Sequence, residues 1–278
     1  MDKLSNTAVL GRWEDFLPTL PDGCIDLVVT DPPYGVTPQS WDRSRPVWIP
    51  FMAEMGRLCG DSGQMWIFAR MPWSVDVYLA AEKCGWKYVQ ERIWVKQNAG
   101  GCTSHSLLRK MHETILHFKR PEASVFNSDA IRDSKTSSGD KSVSRRRAST
   151  TQFLGTDGSR YEDDGTRMPK SIVWCRNVHR TAESVGHPTQ KPLAVVEPLI
   201  LYSSGAGNVV LDPFAGSGTV PVAAARNARR WVACETEKEW HSAMMSRIAA
   251  AASGSDKECV TNGLSHCSRQ DSCGLFRE

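Results

Sequence analysis

Short apolar runs alternate with stretches of helical spacing along most of this chain. Residues 25–29 read as a short buried strand, and 64–69, 87–95 and 111–119 as further strands. Between them, 47–58 repeats Phe51, Met55 and Leu58 at helical spacing, with Gly60 as a stop just beyond. Residues 73–84 predict another helix, and 9–20 an opening strand with a short helix. The alternation resumes late in the chain. There 171–175 reads as a strand, 193–203 as a helix, 208–212 as a strand and 231–234 as a strand ending at Glu235. An amphipathic, alanine-rich helix over 238–252 follows. Strand-helix-strand alternation implies an α/β fold with a mostly parallel sheet and helices on both faces. The pattern lapses at 98–106, which is rich in Gly, Ser and Thr, and over 129–166, which has few large apolar residues. It ends at residue 253, and 253–278 predicts a disordered tail.

Composition narrows this picture only slightly. The 278 residues are 40% hydrophobic and 23% charged, ordinary globular values that suffice for a sizeable core. A net charge of +3 permits nucleic-acid binding without requiring it. Local clustering says more. Residues 132–149 hold six Lys/Arg against two Asp, including Lys141 and the run Arg145-Arg146-Arg147. Such side chains neutralise phosphates in nucleic-acid complexes, and equally decorate solvated loops. The nine cysteines are an odd number, follow no secretory signal, and read as reduced thiols of a cytoplasmic protein. Cys259, His266, Cys267 and Cys273 lack CxxC spacing, so no metal is expected. The apolar stretch nearest to a membrane span, 193–202, is interrupted by Glu197 and Pro198.

Candidate chemistry begins at Asp31-Pro32-Pro33-Tyr34, directly after the first buried strand. The prolines cannot continue a sheet ladder, and Pro32 holds Asp31 extended. A carboxylate, a stiff carbonyl and an aromatic ring thus gather at a strand's carboxyl end, where open α/β sheets place their ligands. A carboxylate and a carbonyl together accept both hydrogens of an exocyclic amino group, and the Tyr34 ring can stack on the base that carries it.

A second constellation lies in the last third of the chain. His187-Pro188-Thr189-Gln190-Lys191-Pro192 is a rigid loop opening a helix, with a lysine able to pair with a carboxylate. Next, 208–219 runs from a strand through Asp212-Pro213-Phe214-Ala215-Gly216-Ser217-Gly218-Thr219 into a helix. Its glycines allow close approach of a ligand. A phosphate-cradling P-loop would need Lys after the last glycine, and a dinucleotide fingerprint a small residue where Pro221 stands. Neither is present. Glu235, 23 residues beyond Asp212, stands where such folds hold ribose hydroxyls.

These motifs, in this order, resemble the circularly permuted β-group of DNA amino-methyltransferases, in phage-like form, over residues 9–250. The resemblance implies a class I methyltransferase fold with a seven-stranded, mostly parallel sheet. Residues 1–252 would form one domain: a catalytic half (1–95), a target-recognition insert (96–170) and a cofactor half (171–252). It implies S-adenosylmethionine as cofactor, held by Asp212 to Thr219, Glu235, His187, Thr189, Gln190 and Lys191. Asp31, Pro32, Pro33 and Tyr34 would be catalytic, acting on a flipped base of double-stranded DNA, with Lys141 and Arg145 to Arg147 on the DNA. Asp at the first motif position points to adenine N6; the alternative is cytosine N4. A DNA-binding protein with a degenerate site is the alternative of another class. No Pro-Cys occurs, which argues against cytosine C5 chemistry. A homodimer and a restriction endonuclease partner are both compatible with the resemblance. The chain departs from the family at Gly11-Arg12, where Gly-Asp is usual; Glu14 or Asp15 would substitute. Trp41-Asp42 and His112-Glu113 match recurrent family pairs, and read otherwise as a core anchor and surface positions.

Overall fold

The protein is described by a computed structural model covering residues 6–35, 39, 42, 46–97, 106, 108–134, 166–179 and 181–253. Its strands are β1 (Thr7–Leu10), β2 (Leu27–Thr30), β3 (Gln64–Ala69), β4 (Lys87–Lys96), β5 (His112–Lys119), β6 (Asp133–Ser134), β7 (Thr166–Arg167), β8 (Ile172–Cys175), β9 (Val209–Asp212) and β10 (Arg230–Glu235). Its helices are α1 (Trp13–Phe16), α2 (Trp48–Cys59), α3 (Trp73–Lys83), α4 (Leu193–Ser203), α5 (Thr219–Arg226) and α6 (Lys238–Ala252). Eight strands form the main sheet in the order β1-β10-β9-β2-β3-β5-β4-β8, and β6 and β7 form a separate two-residue ribbon. The expected seven strands become eight because β8 joins the open edge of β4 in parallel. Within the main sheet, β5 alone among the described strands runs against its neighbours, β3 and β4.

The strands β2, β3 and β9 are buried along their whole length, which is why their sequences are continuous apolar runs. Alternate side chains still separate by face. Val28, Met65, Ile67 and Leu211 pack with α2 and α3 in one core cluster, with Phe51, Met55 and Ala81 among its members. Leu27, Val29, Phe68 and Val210 pack on the other side against Val196, Ala223 and Ile248 of α4, α5 and α6.

The chain leaves β9 towards β10 through α5, and leaves β2 towards β3 through α2 on the opposite face. The sheet therefore reverses its winding between neighbours β9 and β2, and a crevice opens outside their carboxyl ends. The antiparallel register adds to that crevice. Ala69 at the end of β3 pairs with Thr114, and Val95 near the end of β4 pairs with His112. The start of β5 and the end of β4 thus emerge at the same end as the carboxyl termini of the parallel strands.

The region expected as a recognition insert, 96–170, is not a continuous insert, because β5 is an interior strand of the sheet. Within the span, β4 ends at Lys96 and β5 runs from His112 to Lys119. Beyond β5, Asn127 bonds Tyr202, Leu201 and Ser204 at the far end of α4. Asn127 therefore sits at the end of the sheet opposite the crevice. Lys141 and Arg145 to Arg147 lie outside the described residues, as do Trp41 and the tail beyond 253. No described helix is long and apolar enough to cross a membrane.

Candidate active site

Three adjacent strands end in acids. Glu235 closes β10, Asp212 closes β9, and Asp31 follows β2. All three line one cavity of about 760 Å³, a size typical of small-molecule sites.

Asp212 is nearly fully buried, and its Oδ1 accepts from the Thr30 hydroxyl at 2.9 Å and the Phe214 amide at 3.1 Å. Burial pushes its pKa up to about 7. The chain then turns through Gly216 and Gly218, both at positive φ (51° and 80°). A Cβ on Gly218 would lie 2.5 Å from Met244 of α6, so only glycine fits. Gly218 packs on that helix and Gly216 faces the cavity. The Glu235 carboxylate accepts from the Gly216 amide at 2.7 Å and the Glu237 amide at 2.8 Å, which fixes it beside the turn. Burial raises its pKa, and these amides pull it back. Carboxylate oxygens have about four acceptor sites, so capacity remains for a ligand hydroxyl.

Asp31 faces the same space. Its Oδ1 accepts from the Tyr34 hydroxyl at 2.8 Å, and its Oδ2 pairs with the Lys191 ammonium. Burial pushes Asp31 up while Lys191 pulls it down. Burial also disfavours the Lys191 ammonium, but Asp31 and Glu113 outweigh it and raise its pKa. Asp42, fully buried, accepts from the Tyr34 and Gly35 amides at 2.6 and 2.9 Å. It ties the loop to the end of the Pro-Pro-Tyr turn.

The predicted loop before α4 arrives from the other side. Gln190 staples it internally, donating to Glu183 O at 2.8 Å and accepting from Val185 N at 3.1 Å. His187 sits edge-on to Trp240 and next to Gly216. Burial, with Lys191 and Arg247 nearby, lowers its pKa to about 4. Lys191, expected on the cofactor side, reaches across to Asp31. His187, Thr189, Gln190 and Lys191 all line the cavity, as do Pro32, Pro33 and the residues from Pro213 to Ser217, and Thr219.

Of the paired family matches, Glu113 lines the cavity while His112 is exposed. Near the departure from the family pattern, Glu14 lines the cavity and pairs with Arg12. Sequence reasoning missed Arg247. It is buried and donates to Ser217 O at 2.8 Å and Thr219 Oγ1 at 3.2 Å, and lies 3.6 Å from Glu183. An arginine one turn from Met244 on the apolar stripe of α6 was the available signal.

The strand-end carboxylates are acceptors that suit a cationic ligand with hydroxyls, and they disfavour a pyrophosphate beside the glycine turn. The winding reversal, the glycine turn and the strand-end acids define a class I, S-adenosylmethionine-dependent methyltransferase. The chain belongs to the N6/N4 DNA methylase family, whose sequence profile matches residues 25–246. Type II methyltransferase M.BglII of Bacillus subtilis is 28% identical over 252 residues, covering 83% of this chain and 65% of that protein. DNA adenine methyltransferase YhdJ of Escherichia coli is 27% identical over 262 residues, covering 87% and 82%. The fold is shared with the M1.HpyAVI–SAM complex (TM-score 0.60, 21% identity, 87% of this chain and 98% of that one). It is shared also with the cytosine-N4-specific PvuII DNA methyltransferase (TM-score 0.63, 14% identity, 95% and 94%).

Proposed function

We propose that the protein methylates the exocyclic N6 of adenine in double-stranded DNA at a specific sequence, after flipping the base from the helix. The observation that carries this reading is the shared cavity: the Asp31 carboxylate and the Pro32 turn face the same space as the Gly216 turn and Glu235. Glu235 would hold the ribose hydroxyls of the cofactor, and Gly216 and Ser217 line the same cavity and would help to seat it. When bound, S-adenosylmethionine supplies a methyl group on a positively charged sulfur.

The protein's own residues prepare the acceptor. The amino nitrogen of adenine is a poor nucleophile because its lone pair is delocalised into the ring. Asp31 accepts one of its hydrogens and the Pro32 carbonyl the other, which favours a pyramidal nitrogen with an available lone pair. Tyr34 stacks on the flipped base. The work is positioning and hydrogen bonding, with Asp31 holding the proton that the nitrogen sheds.

Adenine is favoured by Asp at the first position of the motif and by the name of the YhdJ relative. Cytosine N4 is the second reading, supported by the likeness to the PvuII enzyme in fold. Catalytic motif before cofactor motif supports the circularly permuted group. The relatives named type II methyltransferases support a restriction endonuclease partner. The test is modified-base sequencing of DNA from a methylation-deficient host expressing the protein, beside Asp31→Ala. N6-methyladenine in one motif is expected. N4-methylcytosine would select the second reading. No modified base, with DNA still bound, would leave a DNA-binding protein with a degenerate site.

A further inference from the structure

Both oxygens of Asp31 already have a partner before any substrate arrives: Tyr34 donates to Oδ1, and Lys191 is paired with Oδ2. Lys191 has a second anion within reach. Its Nζ lies 3.6 Å from Glu113 Oε2, a buried oxygen that accepts no hydrogen bond. The other oxygen of Glu113 is held by the Lys96 ammonium. The backbone of Lys191 is anchored, since its carbonyl accepts from the Thr219 hydroxyl at 2.9 Å and Pro192 follows. Movement is thus confined to the side chain, which lies over the Phe68 ring at 5.1 Å. One ammonium stands between two carboxylates from different elements, β5 and the turn after β2, and only on Asp31 does each oxygen have a close partner.

We infer that Lys191 is a shared counter-ion, seated on Asp31 in the free protein and drawn to Glu113 when the target amino group occupies Asp31, with Glu113 as the positioning residue. This inference rests on the reading of Asp31 as the acceptor for that amino group. With Lys191 seated, Asp31 is a weak acceptor and a poor resting place for a proton. Transfer of the ammonium to Glu113 frees an Asp31 oxygen without changing the net charge of the buried cluster, and the Lys191 ammonium itself keeps a carboxylate partner. The proton balance closes on these residues. The nitrogen gains a methyl group and loses one hydrogen as a proton to Asp31, and Lys191 stays protonated throughout. Among the described residues, the other charged groups facing this cluster are Lys96 from β4, Lys110, Arg70 after β3 and Asp212 from β9.

The test is a double-mutant cycle read two ways. In the free protein, carbon-13 NMR of the Asp31 carboxyl follows its titration, assigned with Asp31→Asn. Glu113→Gln keeps the shape and the Lys96 acceptor but removes the charge. It should lower the Asp31 titration by about one pH unit, because a like charge is lost and Lys191 is committed to Asp31. Lys191→Met should raise it, and Glu113→Gln added to Lys191→Met should move it far less than it does alone. On DNA from a methylation-deficient host, Glu113→Gln should lower kcat by roughly tenfold or more with KM for DNA within a few-fold, and Glu113→Asp should recover part of the loss. An Asp31 titration untouched by Glu113→Gln, or the same Glu113→Gln effect with and without Lys191, overturns the inference. If the wild type transfers no methyl group to DNA, the functional reading fails instead. The NMR cycle then decides by itself whether Glu113 acts on Asp31 through Lys191.

Discussion

Replacing Asp212 by Asn should stabilise the protein above about pH 4, by an amount that grows until about pH 7. Asp212 is buried, and its pKa stands near 7 against an ordinary 3.8. The folded state therefore favours the protonated carboxyl. Its contribution is fully present below pH 3.8 and is lost as the pH rises, the loss being complete above about 7. At 1.36 kcal/mol per pH unit, the gap amounts to about 4 kcal/mol of native stability forfeited at pH 8. Asn keeps an oxygen for the Thr30 hydroxyl and the Phe214 amide, the two donors that Oδ1 serves. It has no charge to desolvate. Urea unfolding of both proteins, followed by tryptophan fluorescence, should coincide near pH 4. The two should diverge through pH 7, with Asp212→Asn the more stable by up to about 4 kcal/mol at pH 8. The same substitution should flatten the rise of S-adenosylmethionine affinity with pH, because an ionised Asp212 favours a cationic ligand. Equal stability of the two proteins at pH 8 would refute the reasoning, since Asp212 would then be compensated in a way its two hydrogen bonds do not reveal.

Asp31→Ala should abolish methyl transfer while S-adenosylmethionine affinity, measured by calorimetry, stays within a few-fold. Near-normal turnover would remove Asp31 from the chemistry. Glu235→Ala should weaken the cofactor by about 10- to 150-fold, the equivalent of losing one charged hydrogen bond worth about 1.5–3 kcal/mol. Unchanged calorimetric affinity would take Glu235 out of the site. Replacing Arg145, Arg146 and Arg147 by Ala should lower the slope of log DNA affinity against log salt by about 0.9 per lost phosphate contact, without altering the methylated sequence. A salt titration with an unchanged slope would mark the stretch as a solvated loop.

The elements that were legible from sequence share one physical cause. β3 and α6 begin and end where the apolar pattern does, because a strand covered on both faces and a helix with one apolar stripe write their burial directly into the chain. β8 was also visible as an apolar run, but its place at the sheet edge was not, since pairing with β4 is a long-range choice. The site divides in the same way. Asp31, the glycine turn and Glu235 were readable because each sits on a strand end with its own local signature. The pairing of Lys191 with Asp31 spans 160 residues and was not. Glu113 reaches the cluster only because β5 is antiparallel and in register with β3, which places its first residues beside the carboxyl end of that strand. Asp42 carried the signal of a recurrent pair and Arg247 that of a charge on an apolar stripe, but their partners, backbone amides for Asp42 and the Ser217 carbonyl with Thr219 and Glu183 for Arg247, are set by the fold and leave no sequence trace.

The two-residue ribbon of β6 and β7 has a consequence for how such a protein changes over generations. Asp133 pairs with Arg167 and Ser134 with Thr166, so whatever lies between begins and ends at one fixed point. Doubling the length of a flexible connection between two fixed ends costs only about 0.6 kcal/mol of closure entropy. A change of length between ends anchored in this way is cheap, and the pairing of β6 with β7 gives both ends the same footing whatever that length is.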